Sequence, residues 1–292
     1  MKGRQRRLLS FGGSAVAVEY NGARVAAIVD FMFRHVPAQG DAPPHLTFRV
    51  MPAKRPGEVA LYRGDTLIYQ GDAEATWAEL LMGEACHHLA DRSRGGLLFH
   101  AAGLAWHGKG VLLPGGIGAG KSTLAAWLAT RGLDYLSDEL VFVPRGADTM
   151  QAFVRPLNLK SPSRAVLQDY LDLDTAHVLG GPQATLISPA AFRPTVAPGA
   201  LPLGLILFPR YQPGSDFVLR PLSKAQGGLA LMECLVNARN LPDHGLAEVA
   251  RLAQVAPAYR MRYAHFDQIG ASLEAFKPKT TKVVTTNLSN DD

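Results

Sequence analysis

Val111-Leu112-Leu113-Pro114-Gly115-Gly116-Ile117-Gly118-Ala119-Gly120-Lys121-Ser122-Thr123 joins a short apolar run to a glycine-rich loop and then to a run of good helix formers. The order reads as strand, loop, helix. Gly115, Gly120, Lys121 and Ser122 fill the fixed places of G-x-x-x-x-G-K-[ST], and the strand before and helix after supply the context that this motif requires. Glycines let consecutive backbone N–H groups turn inward, and a helix starting near Lys121 adds the positive end of its dipole. Residues 115–123, that is Gly115, Gly116, Ile117, Gly118, Ala119, Gly120, Lys121, Ser122 and Thr123, are therefore expected to cradle phosphates. Lys121 would meet the β- and γ-phosphates of ATP, and the Ser122 hydroxyl would hold Mg²⁺.

The rest of the composition fits such a chain and excludes several alternatives. It has 292 residues, 47% of them hydrophobic, enough for one large domain or two small ones with a proper core. The net charge of +5 is scattered, with no basic run interleaved with aromatics, so no nucleic-acid groove is expected. Arg4, Arg6 and Arg7 are followed by only Leu8 and Leu9, too little for the apolar part of a signal peptide. Apolar runs such as 203–208 are far too short to span a bilayer, so no membrane partner and a cytoplasmic location are expected. Cys86 and Cys234 lack metal-ligand spacing and read as reduced, buried thiols.

Upstream of the loop, residues 15–18 and 24–29 are apolar runs separated by Asn21-Gly22, a pattern that predicts a β-hairpin. Residues 45–51, 59–62 and 66–70 predict strands, the last two joined at Arg63-Gly64-Asp65. Residues 73–90 space Trp77, Leu80, Leu81, Ala85 and Leu89 as on one amphipathic helix, with Asp72 as its cap. Residues 1–94 thus form a small β-rich region with one helix, its strands free to join the edge of a larger sheet. Residues 97–106 and 111–113 are adjacent antiparallel strands that feed the loop, and His100 lies in the first. A lone strand histidine is more often packed or solvated than catalytic.

After the loop, residues 124–130 continue the helix and Gly132 signals its end. Asp138 and Glu139 follow one helix and one turn after Lys121, where a returning strand can present acids to phosphates. Phosphoryl transfer needs a metal ligand besides the loop serine and a group that orients the acceptor, and adjacent carboxylates can divide those roles. A solvated acidic turn is the plainer alternative. Residues 140–144 and 152–155 read as strands, and Arg155 and Lys160 as surface charges. Residues 161–202, rich in Pro, Gly and Ala, predict turns, short helices and a substrate lid. Strands are expected at 203–208, 217–221 and 259–263, helices at 224–239, 245–255 and 267–276, and a disordered polar tail at 277–292.

Residues 97–276 resemble the catalytic domain of HPr kinase/phosphorylase, and more closely the HPr-kinase-related peptide and protein serine kinases of bacterial gene clusters. The likeness rests on Phe99-His100-Ala101-Ala102-Gly103, the loop, Leu136-Ser137-Asp138-Glu139, Arg155-Pro156-Leu157-Asn158-Leu159-Lys160, Leu207-Phe208-Pro209-Arg210-Tyr211 and Tyr259-Arg260-Met261-Arg262-Tyr263. It implies an α/β protein with a P-loop kinase core of HPr kinase type over residues 95–276, a mixed β-sheet flanked by helices. It further implies Asp138 as the base toward the acceptor hydroxyl, Glu139 as a Mg²⁺ ligand with Ser122, His100 on the transferring phosphate or the acidic pair, and Arg155 on the γ-phosphate. The activity implied is Mg²⁺- and ATP-dependent phosphorylation of a hydroxyl, most readily serine, on a peptide or small protein, by a chain that assembles into homo-oligomers of no fixed number. A small-metabolite kinase and a non-catalytic ATP-sensing module are the competing expectations. Two departures stand out: Asp138-Glu139 replaces the usual pair of aspartates, and no phosphorolysis signature surrounds Arg155. Residues 1–94 do not resemble the amino-terminal domain of the bifunctional enzyme.

Overall fold

A computed structural model describes residues 4–36, 42–181, 184–192 and 199–273. The amino-terminal region begins with β1 (Gln5–Phe11) and β2 (Ser14–Tyr20), a hairpin turned by Gly12 and Gly13 at φ 57° and 76°. The chain then enters α1 (Ala23–Phe33), not the second strand expected across Asn21-Gly22. Val25, Ile28, Val29, Met32 and Phe33 are buried on one face, a helical spacing that becomes visible only when the apolar run is followed past Val29. β3 (Thr47–Pro52), β4 (Val59–Arg63) and β5 (Thr66–Gly71) complete a five-stranded sheet in the order 1-2-3-4-5. α2 (Glu74–Arg92) follows, with Ala73 at its N-cap and no side-chain cap bond, so Asp72 does not serve as predicted. Among its described residues the region therefore has two helices, where one was expected, and a sheet of its own.

The central sheet combines β6 (Gly96–Trp106), β7 (Lys109–Pro114), β8 (Asp134–Ser137), β9 (Leu140–Pro144), β10 (Thr149–Ala152), β14 (Leu201–Tyr211), β15 (Val218–Pro221) and β16 (Ala258–Tyr263). Its order is 10-9-6-7-14-16-15, with β8 paired to β6. β7 runs parallel to β14 and antiparallel to β6, and β14 runs parallel to β16. The sheet is mixed. β10 also pairs with β14, which curls this end of the sheet around Met150. A Cβ at Gly110 would lie 2.6 Å from the Met150 sulfur, so a larger residue there would displace the Met150 side chain.

α3 (Lys121–Thr130) covers one face of this sheet, and α5 (Lys224–Met232) and α6 (Leu246–Val255) cover the other. The helix expected at 224–239 stops at Met232. Alternation along β6 puts Leu98 in the core shared with the amino-terminal sheet and α2, and Ala102 and Leu104 in the core under α3. His100 lies between them, in the seam where the two cores meet.

The strand expected at 152–155 is replaced by β10 and by β11 (Leu157–Lys160) on either side of an irregular link that carries Arg155. α4 (Ser161–Leu167), β12 (Val178–Gly180) and β13 (Ala184–Ile187) follow, the two strands joining β11 in a three-stranded antiparallel sheet. Leu167, Leu186 and Ile187 are fully or almost fully buried and join the cores described above, while most of residues 161–181 are exposed or half-buried. α7 (Asp267–Leu273) is the last element; the end of its predicted span and the expected tail at 277–292 lie outside the described residues.

Candidate phosphate and acceptor site

β7 runs its apolar residues into the core and ends at Pro114, where the loop begins. Gly118 and Gly120 have φ of 82° and 89°, which turn the chain back into α3. At Gly120 the requirement is also spatial, since a Cβ would approach the Tyr263 hydroxyl to 2.7 Å and Tyr211 Cβ to 3.0 Å. The Tyr211 N–H donates to the Ala119 carbonyl at 3.1 Å, tying the loop to the end of the parallel neighbour β14. No Cβ contact lies within 4 Å at Gly116 or Gly118, and Ile117 stands 92% exposed, so the loop's outer side is an open cradle. The cradle and the free first-turn N–H groups of α3 fit a run of phosphates.

Lys121, buried at the start of α3, donates to the carbonyls of Gly115 at 2.8 Å and Gly116 at 3.0 Å. Its third donor meets His100 Nε2 at 3.0 Å. An ammonium only donates, so Nε2 is the accepting nitrogen and the ring proton lies on Nδ1. Nδ1 stands 3.3 Å from Glu139 Oε1, its natural acceptor. Burial lowers the Lys121 pKa, against the opposing charges of Glu139, Cys234 and Asp138. The N–H of His100 donates to the Cys234 carbonyl at 2.9 Å, which fixes the backbone beneath the ring.

The two adjacent carboxylates occupy different environments. Asp138 is 3% exposed, and its Oδ1 accepts from Arg155 Nε at 3.0 Å, Arg155 Nη2 at 2.9 Å and the Tyr135 hydroxyl at 3.3 Å. Its Oδ2 accepts from the Asn158 N–H at 3.2 Å. Arg155 is as deeply buried, contrary to its reading as a surface charge, and reaches Glu139 Oε2 at 3.4 Å. Burial lowers the Arg155 pKa, but Asp138 and the other anions beside it outweigh that and hold it above its usual value. Burial drives the Tyr135 hydroxyl pKa well up, with the Asp138 charge adding to it.

Glu139 opens toward solvent. Burial alone would raise its pKa, but the hydrogen bond from His100 and the charges of Arg155, His100 and Lys121 prevail and bring it to about 2. It is ionised throughout the neutral range. Of the two acids, Glu139 and not Asp138 faces an incoming molecule.

Two clefts flank this chain of contacts. One of ≈ 590 Å³ runs along loop residues 114–119 and is bordered by Arg210, Tyr211, Glu233 and Arg260. The other, of ≈ 220 Å³, has His100 and Glu139 at its floor and α2 as one wall. Among the described residues no group of three or more His, Cys, Asp or Glu side chains is placed to hold a metal ion. A Mg²⁺ held by Ser122 and Glu139 would complete its shell with phosphate oxygens and water, the usual arrangement for that ion.

All five expected catalytic residues, His100, Lys121, Asp138, Glu139 and Arg155, meet in one connected cluster. Thr123 turns aside and donates to Ser163 at 2.8 Å, tying α3 to α4. Tyr135, the Asn158 N–H, Arg210, Arg260 and the α2 wall join the expected five at the site; Asn158, Arg210 and Arg260 stand in stretches that carry the resemblance, but no role was expected of any of these groups. Nothing in their spacing singles them out, since sheet register and helix packing bring them in. No helix among the described residues is long and apolar enough to cross a membrane. No protein-family model matches the chain, and no curated protein matches it.

Proposed function

We propose that the chain is a Mg²⁺- and ATP-dependent kinase of the HPr kinase type that phosphorylates a hydroxyl, serine first among candidates, on a peptide or small protein. One observation carries the reading: separate stretches of chain converge on an unbroken series from the loop carbonyls through Lys121, His100 and Glu139 to Arg155 and Asp138. A triphosphate in the cradle, its nucleoside in the larger cleft beside Arg210 and Arg260, would draw Lys121 off the Gly115 and Gly116 carbonyls. ATP supplies the phosphoryl group, and Mg²⁺ held by Ser122 and Glu139 offsets its charge.

The donor count then assigns roles to the side chains. When Lys121 turns to phosphate, His100 Nε2 becomes a free acceptor beside the smaller cleft, while Glu139 holds the opposite ring proton. That pairing is the orienting logic of a histidine backed by a carboxylate. His100 takes the acceptor proton as the hydroxyl oxygen bonds to the γ-phosphorus and the bond to the bridging oxygen breaks, leaving ADP. Glu139 stabilises the imidazolium. Asp138 is reassigned from base to positioning residue, because its oxygens are already occupied by Arg155, Tyr135 and the Asn158 N–H.

The test is incubation with Mg·ATP and the small proteins or precursor peptides encoded beside the gene, followed by intact-mass measurement. Gain of a phosphoryl group by one of them, absent with Lys121→Met and with His100→Gln, supports the reading. ATP binding without gain on any of these acceptors would favour a small-metabolite kinase or the nucleotide-sensing alternative.

A further inference from the structure

Resting on the kinase reading, we infer that α2 of the amino-terminal region builds half of the acceptor cleft and selects a small, uncharged hydroxyl presented on a peptide. Gly83, Cys86, His87, Ala90 and Asp91 all line the ≈ 220 Å³ cleft. They recur at three- and four-residue intervals and so form one stripe of α2. Three of the five are small, which lets another chain approach the helix closely. A Cβ at Gly83 would meet nothing within 4 Å, so the space beside it is open.

The opposite wall is Val236, 39% exposed, with Arg239. This wall is fixed to β6: the Val236 N–H donates to the Leu98 carbonyl at 2.9 Å, and Asn237 accepts from the Leu98 N–H at 2.9 Å. Asn240 donates to the Asp91 and Ser93 carbonyls, which fastens the end of α2 to the same wall. The cleft is thus a rigid slot, with the His100–Glu139 pair at its floor.

Its charge balance narrows the occupant. Asp91 is paired with Arg239 and Arg92, and Glu139 with Arg155. The one lining arginine, Arg239, already holds Asp91, so the slot offers no unpaired arginine or lysine to an acidic metabolite. The volume is below the several hundred Å³ usual for sites that enclose a whole small-molecule ligand. A serine side chain with its flanking backbone suits both facts. Residues 1–94 then act as the specificity element of the site.

The experiment follows the methyl NMR signals of Ala90 and Val236 in the full chain while the uncharged pentapeptide acetyl-Ala-Ala-Ser-Ala-Ala-amide is added, in parallel with ADP release from Mg·ATP. Gly83→Leu is the blocking variant; it places a better helix former within α2, so folding is favoured. Saturable shifts of both signals in the native protein, weakened tenfold or more by Gly83→Leu with ATP affinity unchanged, are expected. Absence of shifts, identical shifts in Gly83→Leu, or stronger displacement by phosphoserine than by the peptide would overturn the inference. The kinase reading fails separately: peptide shifts without any ATP turnover keep the cleft and remove the chemistry, whereas turnover without shifts does the reverse.

Discussion

Replacing Arg155 by methionine removes one member of a buried pair while roughly keeping its volume. The Arg155 side chain is 4% exposed and that of Asp138 2%, and the guanidinium places two donors on one carboxylate oxygen at 2.9 and 3.0 Å. Breaking such a pair costs about 3–5 kcal/mol, because the surviving charge is left in the interior. Asp138 would keep the Tyr135 hydroxyl and the Asn158 N–H, which favours the lower end of that range. For a chain of this size the loss corresponds to a fall in Tm on the order of 10 °C. Arg155→Met/Asp138→Asn removes both charges and should recover more than half of the loss, since replacing both partners is far less costly than orphaning one. Urea and thermal unfolding of the native protein, both single variants and the double variant, at neutral pH close the cycle. A cost for Arg155→Met below about 1 kcal/mol, or a double variant no more stable than the single, would refute the buried-pair account.

Gly120→Ala puts a Cβ into the Tyr263 hydroxyl at φ 89°; strain and overpacking together predict a loss of about 2–5 kcal/mol and weaker binding of a fluorescent ATP analogue, and a variant of native stability would sink the argument. His100→Gln should lower phosphoryl transfer by roughly 10²–10⁴-fold with nucleotide affinity retained and partial rescue by added imidazole, and full activity would remove the base assignment. The Glu139 carboxyl is held at about 2 against an ordinary 4.5. Its contribution to stability is therefore full above about pH 4.5 and is lost as pH falls toward 2, so Glu139→Gln should flatten the stability profile in that window only. An unchanged profile between those pH values would mean that the His100 and Arg155 contacts do not persist in solution.

The glycine-rich loop, its strand and its helix were legible because G-x-x-x-x-G-K-S between an apolar run and helix formers fixes backbone geometry locally. His100, Lys121, Asp138, Glu139 and Arg155 were legible as a set through resemblance, whereas the division of labour between Asp138 and Glu139 was not. Both carboxylates follow a strand, and only the placement of Arg155, Tyr135 and the Asn158 N–H decides which of them is enclosed. Residues 24–29 read as a strand because Ala26, Ala27 and Ile28 mask the helical spacing of α1 over a short window. The strands after α4 were missed because their burial comes from layers supplied by distant parts of the chain. Arg155 illustrates the same limit, since an isolated arginine in sequence gives no sign that it will be enclosed.

The neighbours of β7 also govern when the site can exist. β6 precedes it directly, but its parallel partner β14 begins only at Leu201, and β16, whose Tyr263 closes over Gly120, begins at Ala258. During synthesis the phosphate loop emerges long before the strands that brace it, and β7 meanwhile carries an unpaired apolar edge of the kind that invites mispairing. The nascent chain must hold that edge without its partner until Leu201 and the residues after it have left the ribosome. On the proposed function, nucleotide binding requires β14 and β16 as well as the loop, and fragments ending before β14 are expected to be inert and prone to aggregate.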